Sequence, residues 1–170
     1  MKTLRLLGCL IILSGCSATY EQVIVQPTAS KLERGKGVFI SVPKDGWYGK
    51  IEYRNSGRMT ADAVKSAFSR FSNTVDVSTE CIGKECLKKI NPNQYTYYVE
   101  PLIMHWEDRN TEWSGIPDRI EIKLIIYDVK TGVEIASSIM NGKSKWATFG
   151  GDHPQDLLPE PINAYVASLY

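Results

Sequence analysis

The amino-acid sequence predicts a two-layer α+β domain, in which two helices cover one face of a mixed, mostly antiparallel sheet of about five strands. Three observations predict it. A β-branched segment, a segment of helical period and a second β-branched segment follow one another early in the chain, which is typical of a βαβ unit. Two alternating segments joined by a turn come later and indicate an antiparallel hairpin. An apolar pattern of helical period closes the chain.

The strands of the predicted βαβ unit lie at 38–42 and 75–77. The first segment is β-branched and ends at Pro43, and the second is short and alternating. A long loop rich in Gly and aromatic residues spans 43–57. We expect the two strands to be parallel, either adjacent or one position apart.

The helix of this unit is predicted to begin at Thr60, which is a suitable N-cap residue. Met59 and Val64 occupy the positions of a hydrophobic staple across that start. The apolar stripe recurs at helical spacing and consists of Val64, Ala67, Phe68 and Phe71. One face of this helix is therefore expected to pack on the sheet.

The second half of the chain is predicted to form antiparallel strands. A strand rich in aromatic and β-branched residues spans 95–106, and Pro101 within it requires an edge position or a bulge. The next strand, at 119–127, alternates, with Glu121 and Lys123 on one face. Its opposite face carries Ile120, Ile122, Leu124 and Ile126.

A hairpin and a closing helix complete the prediction. Gly132 suits the positive-φ position of the turn before a partner strand at 133–140. Asn141-Gly142 is predicted to turn the chain into a further strand at 143–148. The closing helix is outlined by Leu158, Ile162, Tyr165, Val166 and Leu169.

Length and charge exclude several classes of protein. The chain has 170 residues, which suits one domain, and 43% of them are hydrophobic, which excludes a mostly disordered chain. Its formal net charge of +1 argues against a nucleic-acid partner, because nonspecific binding to nucleic acid requires a clear basic excess. No apolar stretch is long enough for a permanent transmembrane helix.

The first sixteen residues have the pattern of an export signal. Lys2 and Arg5 precede an apolar run at 6–13, and the run ends in Leu13-Ser14-Gly15-Cys16. This leader resembles those of bacterial lipoprotein precursors, whose lipobox is a Leu, two small residues and a Cys. The resemblance implies that Cys16 is acylated and that cleavage falls before it. An ordinary signal peptide with a chance Cys is the alternative.

The leader defines the expected organisation and location. We expect a signal peptide at 1–15, a lipidated N-terminus and tether at 16–37, and a single α+β domain at 38–170. Within the tether, 23–25 is apolar enough to form a short edge strand. In enteric lipoproteins an Asp after the acylated Cys favours the inner membrane. The resemblance therefore implies that Ser17 directs the protein to the outer membrane, facing the periplasm.

Two cysteines remain in the mature domain. Cys81 and Cys86 are five positions apart in a predicted loop. In an exported protein such a pair is most simply a structural disulfide, which would stabilise the fold by about 2 kcal/mol on the chain-entropy argument. A redox-active pair or part of a zinc site are the alternatives, although zinc would need two more ligands.

One segment, 105–115, is a candidate recognition surface. It carries Trp106, Asp108, Arg109 and Trp113, and Trp and Arg side chains contribute much of the energy at protein interfaces and stack on sugars. The alternative is a structural hairpin whose Trp residues cover the sheet edge. In that case Arg109 or Arg119 would pair with Glu107 or Asp108.

A second segment, 146–161, follows a Gly-Gly pair. Asp152 and His153 place an acid beside an imidazole, and with Asp156 or His105 they could form a metal or acid–base site. The alternative is a rigid loop in which Asp152 or Asp156 accepts hydrogen bonds from backbone amides. We expect no resident metal or cofactor, because the spacing of the histidines does not match a ligand motif.

These two segments and the strand–loop–helix run before them resemble a family of small bacterial lipoproteins of unknown function, over about residues 38–170. The family supplies no activity. The sequence therefore favours a non-enzymatic envelope lipoprotein that binds a protein partner or a glycan through aromatic and Gly-rich loops. The alternatives are an enzyme or metal-dependent binder that uses Asp152 and His153, and a purely structural envelope protein. The oligomeric state is left open.

Overall fold

The computed structural model describes residues 18–109, 115–145 and 153–170, which form eight strands and two α-helices. The strands are β1 (Thr19–Gln26), β2 (Val38–Ser41), β3 (Gly46–Tyr48), β4 (Ile51–Tyr53), β5 (Val75–Ser78), β6 (Tyr97–Glu107), β7 (Arg119–Asp128) and β8 (Glu134–Lys143). The helices are α1 (Ser56–Phe68) and α2 (Pro159–Leu169). Two short 3₁₀ turns lie at Lys84–Lys88 and Pro154–Leu157.

Six strands form the main sheet, in the order β1-β8-β7-β6-β2-β5. β2 is parallel to β5 and to β6, whereas all the other pairings in this sheet are antiparallel. The predicted α+β class, the mixed sheet and the adjacent parallel strands of the βαβ unit are thus confirmed. β3 and β4 form a separate hairpin within the predicted loop at 43–57.

Both helices pack on one face of the sheet, as predicted. The four residues of β7 predicted to share a face, Ile120, Ile122, Leu124 and Ile126, are all buried in the main core. They meet Val64 and Phe68 of α1 and Ile162 and Val166 of α2 in that cluster. Alternation along the strand therefore directs its other side chains to the opposite face of the sheet.

Helix α1 begins at Ser56, so the predicted start at Thr60 is wrong. The Asp45 carboxylate accepts hydrogen bonds from the backbone N–H groups of Asn55 and Gly57 and thereby satisfies donors at the helix start. Thr60 lies inside the helix, where its hydroxyl donates to the Ser56 carbonyl. The staple at Met59 and Val64 is wrong for the same reason. Local sequence could not reveal a cap that comes from ten residues earlier.

Pro101 lies on β6, inside the sheet, where β2 no longer pairs with that strand. β7 accompanies β6 along its length, but β2 pairs with it only from Tyr97 to Val99. Pro101 therefore interrupts no pairing with β2, which satisfies the predicted requirement for an edge-like position. A bulge follows between Ile103 and His105.

The predicted turn at Asn141-Gly142 is wrong, because β8 continues to Lys143. Gly142 is paired on both sides, with Tyr20 of β1 and Ile120 of β7. A Cβ atom on residue 142 would lie 3.0 Å from Ile120 Cγ1, so Gly serves close packing here rather than a turn. The rest of the predicted strand at 143–148 falls mostly outside the described residues. Gly132 has φ 68°, which confirms its positive-φ position.

β1 is an edge strand of the main sheet and pairs antiparallel with β8. It is longer than the short edge strand expected at 23–25 and lies in the segment 16–37. Farther along this segment, Leu32 is buried in the core, and its N–H donates to the Leu169 carbonyl over 2.8 Å. β1 therefore begins at Thr19, three positions after Cys16.

β1 and β7 begin, and β6 and β8 finish, at the same end of the sheet, which we call the Thr19 end. The opposite end, where the β7–β8 turn contains Gly132, is the Gly132 end. On the sheet face away from the helices, a second cluster around Cys86, Ile90, Tyr98 and Tyr127 covers the part nearer the Gly132 end. Within the described part of the chain, neither helix has the length and apolar composition needed to cross a membrane.

Candidate binding site at the Thr19 end of the sheet

Polar side chains form two rows across four strands at the Thr19 end, on the face away from the helices. The cross-strand register aligns Thr19, Lys143, Arg119 and Glu107 in the first row and Glu21, Asn141, Glu121 and His105 in the second. All but Glu107 line a depression of about 380 Å³, together with Ile120 and Gly142. We call this depression the polar groove.

The alternation of β7 explains why the polar groove lies on this face. Ile120 and Ile122 point into the core, so Arg119 and Glu121 point to the other side of the sheet. Neighbouring strands place their own polar residues beside them because the antiparallel register continues from β1 to β6. The groove is thus formed by regular pairing of rigid strands.

Glu107, at the end of β6, is a buried carboxylate that is paired with Arg109 and hydrogen-bonded to His105. Its side chain is only 7% exposed, His105 Nε2 lies 3.0 Å from Oε2, and Arg109 Nε donates to Oε1 over 2.5 Å. Burial alone would raise the pKa of Glu107. The hydrogen bonds and charges of His105 and Arg109 outweigh burial and hold that pKa below its usual range.

Arg109 joins this carboxylate to the β3–β4 hairpin. Its hydrogen bond to Glu107 is the main reason why the pKa of Arg109 is raised. Its Nη2 donates to the Tyr48 hydroxyl over 2.8 Å, and its guanidinium carbon lies 4.9 Å from the centre of the Tyr48 ring. The Tyr48 ring also meets the His105 ring edge-on, with 5.3 Å between centres. Tyr48, His105, Glu107 and Arg109 therefore form one connected cluster beside the groove.

Trp106 belongs to the core, so its expected place on an exposed recognition surface is wrong. Its side chain lies on the helix side of β6 and only 2% of the residue is exposed. The reason is alternation, since His105 and Glu107 occupy the opposite face. The ion pair between Arg109 and Glu107 is one of those that the structural alternative for this segment allowed.

Asp108 and His153 meet at the Thr19 end, with 3.6 Å between Asp108 Oδ1 and His153 Nδ1. His105 lies at the same end but pairs with Glu107. The Asp156 carboxylate accepts a hydrogen bond from the His153 N–H and caps the 3₁₀ turn, as the rigid-loop alternative proposed for this residue. Cys16, Trp113 and Asp152 lie outside the described residues. Among the described residues, no cluster of His, Cys, Asp and Glu is arranged to hold a metal ion.

Cys81 and Cys86 form a disulfide, with 5.3 Å between their Cα atoms. Cys86 is fully buried against the second cluster, and the carbonyl of Gly83 within the closed loop accepts a hydrogen bond from the Tyr98 hydroxyl. The disulfide thus holds a covering segment on the half of this face that lies away from the polar groove.

Sequence reasoning missed most of the polar groove. The residues that it did not single out as a site are Thr19, Glu21, Arg119, Glu121, Asn141 and Lys143. The signal was present in the alternation of β7, which placed Glu121 opposite the apolar face. The register that brings the other strands beside β7 is not visible in any single segment.

Residues 30–169 match the profile of a family described as a domain of unknown function, DUF4823. The chain belongs to this family. No protein of curated function matches the sequence significantly.

The fold of this DUF4823 protein is similar to that of solved bacterial proteins. PelC from Paraburkholderia phytofirmans, crystallised as a dodecamer, superposes with a TM-score of 0.68 at 12% identity, over 89% of this chain and 96% of PelC. Protein XCC0632 from Xanthomonas campestris, described as DUF330, superposes with a TM-score of 0.50 at 12% identity, over 85% and 87% of the two chains. At these identities the likeness shows a shared fold.

The region matched by DUF4823 includes only part of the polar groove. Arg119, Glu121 and the groove residues of β6 and β8 lie within the matched region, whereas Thr19 and Glu21 precede it. The wall of the groove formed by β1 is therefore contributed by the segment that connects the DUF4823 domain to Cys16.

Proposed function

We propose that this protein is a non-enzymatic lipoprotein of the bacterial envelope, anchored by acyl groups on Cys16, that binds a glycan in the polar groove. The basic start, the apolar run and the lipobox support the anchor. Ser17 supports the outer membrane, with the domain facing the periplasm. The observation that carries the binding function is the register that aligns polar side chains of four strands in two rows.

The groups in the polar groove suit a ligand that is rich in hydroxyls. Arg119 and Glu121 make no ion pair with any other described residue, so their donors and acceptors are available to a ligand. Both signs of charge are present, which disfavours a strongly anionic or cationic ligand. Tyr48, beside His105 at the rim, offers an aromatic ring on which a sugar can stack.

A protein partner is the other ligand class that the sequence suggests. Protein interfaces usually depend on a few buried aromatic or aliphatic anchors. Among the described residues that line the polar groove, Ile120 is the only large apolar one, and it is 2% exposed. An open, shallow and polar groove on a rigid sheet therefore favours the glycan.

Photocrosslinking in native membranes tests this function. A photoreactive amino acid at position 143, in the groove, is compared with one at position 89, an exposed Lys outside it. We expect an adduct at 143 that is destroyed by periodate, which cleaves vicinal diols, and no such adduct at 89. An adduct that proteases reduce to a peptide would identify a protein partner and contradict the glycan, and no adduct at 143 would contradict binding in the groove.

A double substitution in the polar groove provides a second test of the same function. Arg119→Ala with Glu121→Ala should abolish the periodate-sensitive adduct at 143 and leave stability within about 1 kcal/mol, because both side chains lie on the open face. The matched control, Lys89→Ala with Glu80→Ala, removes one charge of each sign at exposed positions and should leave the adduct unchanged.

Self-association is a second candidate function, favoured by the edge strand β1. Val23, Ile24 and Val25 are each about half exposed, and among the described strands only β8 pairs with β1. Such an edge is a template for pairing with another chain. PelC, which shares the fold, was crystallised as a dodecamer.

Light scattering of the purified lipoprotein in detergent tests this candidate. We expect a mass of more than one copy, and Ile24→Lys should reduce it to a monomer because a charge blocks edge pairing. Ile82→Lys, at another exposed apolar residue, should leave the mass unchanged. A monomeric wild-type protein would exclude assembly through β1.

A further inference from the structure

The β3–β4 hairpin exposes apolar side chains at the Thr19 end of the sheet. Trp47 and Ile51 are each 57% exposed, and neither belongs to the core clusters of the described residues. Lys50 lies exposed in the turn between the two strands, and Arg54 lies exposed directly after β4. Exposed Trp beside Lys and Arg is the composition found where proteins meet the headgroup layer of a membrane.

The hairpin is held rigidly against the sheet. Tyr48 contacts Arg109 and His105, and the Tyr53 hydroxyl donates to the Asp108 carbonyl over 3.4 Å. Gly46 packs directly on Trp106. Because Tyr48 is paired with Ile51 and Trp47 with Glu52, Trp47 lies on the hairpin face away from the sheet. The exposed Trp47 is therefore carried by an ordered element, and the contacts with 105–109 place that element at the Thr19 end.

The proposed anchor is attached at the same end. Thr19 is paired in register, through β8 and β7, with Glu107 at the end of β6. Thr19 is three residue steps from Cys16, so the two Cα atoms are at most about 11 Å apart. A headgroup layer is about 5–8 Å thick. An acyl group on Cys16 therefore holds Thr19 within a few ångströms of the lipid surface.

The lateral geometry allows the hairpin to reach the same surface. β1 and β6 are three strand spacings apart, or about 14 Å, and the hairpin lies against the far part of β6. The Gly132 end is about 30 Å away, since β7 contains ten residues. The two ends of the sheet thus differ sharply in their distance from the anchor.

We propose that the β3–β4 hairpin docks on the phospholipid surface that holds the acyl anchor, with Trp47, on the hairpin face away from the sheet, in the headgroup layer. This inference rests on the acylation of Cys16 in the proposed function. It gives the domain a defined orientation, with the Thr19 end on the bilayer and the disulfide-held segment and the β7–β8 turn away from it. The polar groove then opens sideways, just above the lipid surface.

A fluorophore at each end of the sheet tests the proposal. Lys50→Cys and Lys130→Cys place a single thiol in an exposed turn at the Thr19 end and the Gly132 end. In the mature chain this is the one free thiol, because Cys81 and Cys86 are paired and Cys16 is acylated. The labelled lipoproteins, each with a nitrobenzoxadiazole group, are reconstituted in vesicles of phosphatidylethanolamine and phosphatidylglycerol at a ratio of three to one.

We expect the emission at position 50 to rise several-fold and shift to the blue on vesicles, and the emission at position 130 to stay as in water. Trp47→Ser should remove most of the change at position 50. Unchanged emission at position 50 in protein that floats with the vesicles would overturn the hairpin contact and leave the anchor in place. A rise at position 50 that depends on protein concentration in detergent, without vesicles, would instead indicate contact between copies and would also overturn it. Protein that does not float would refute the anchor, and the hairpin contact with it.

Discussion

Gly46 and Trp106 pack so closely that a Cβ atom on residue 46 would lie 2.6 Å from the Cβ of Trp106. The same Cβ would lie 2.9 Å from Ile103 Cγ2. The β3–β4 hairpin can therefore lie against β6 only because residue 46 has no side chain. This contact positions both Tyr48 beside the groove and Trp47 at the Thr19 end.

Gly46→Ala should therefore destabilise the protein by about 1–3 kcal/mol, because neither Trp106 Cβ nor the adjacent backbone can move freely to admit a methyl group. Denaturant unfolding measures the loss. The next residue provides the control, since Trp47→Ala removes an exposed side chain and should change stability by less than about 0.5 kcal/mol. Equal stabilities for Gly46→Ala and wild type would contradict the close packing.

Trp106→Ala should destabilise the protein by about 3–5 kcal/mol, because it leaves a cavity in the core beneath α1 and α2. This expectation reverses the one drawn from sequence, in which the residue was exposed and its loss affected binding. Thermal unfolding of Trp106→Ala and Trp47→Ala in parallel separates a core Trp from a surface Trp. A loss below about 1 kcal/mol for Trp106→Ala would show that residue 106 is not in the core.

Glu107 should make stability depend on pH in the acid range. Its folded-state pKa is held below the usual range, whereas in the unfolded chain the carboxyl titrates near about 4.3. Its stabilisation is therefore fully present above about pH 4.3 and is lost as the pH falls through the lower, folded-state pKa. Glu107→Gln should be less stable than wild type by about 1–3 kcal/mol at pH 7, and the difference should shrink as the pH falls below about 4.

Urea unfolding at a series of pH values checks this dependence. Glu80→Gln is the matched control, because Glu80 is exposed and forms no ion pair with the other described residues. A stability difference for Glu107→Gln that is the same at pH 7 and pH 3 would show that the ionised carboxylate is not what stabilises the Thr19 end.

Two buried tyrosines should respond oppositely to loss of the hydroxyl group. The Tyr165 hydroxyl is buried without a hydrogen-bond partner among the described residues. The Tyr98 hydroxyl shares a hydrogen bond of 2.9 Å with Ser41 and donates to the Gly83 carbonyl over 3.0 Å. Tyr165→Phe should be neutral or stabilising, whereas Tyr98→Phe should lose about 1–2 kcal/mol. Calorimetry compares the two, and a marked loss for Tyr165→Phe would reveal a partner for that hydroxyl.

Sequence periodicity predicted the elements in which one face of a single segment is buried. The β7 alternation predicted both its core residues and its outward Glu121, and the stripe from Val64 to Phe68 predicted the buried face of α1. It failed where the deciding partner is distant in sequence. Asp45 sets the start of α1, and pairing with both β1 and β7 keeps Gly142 extended.

For the candidate site, too, residue type was visible in the sequence, whereas the face on which a residue lies was not. The sequence drew attention to Arg109, Asp108 and His153 by residue type, and all three lie at the Thr19 end, but it also assigned Trp106 to the surface. Which of two neighbouring residues faces the core depends on the strand that contains them and on any bulge before them. Here the bulge between Ile103 and His105 sets that alternation.

By itself, the sequence predicted the α+β class, the βαβ unit, the hairpin around Gly132 and a disulfide between two close cysteines, because the pattern of a single segment or a short turn indicates each of them. Only the tertiary structure decided that Trp106 is core and Glu107 a buried ion-paired carboxylate. It also decided that Thr19, Arg119 and Lys143 share one groove. The physical reason is register: pairing of residues up to 124 positions apart, as between Thr19 and Lys143, sets which side chains meet, and no local pattern records that pairing.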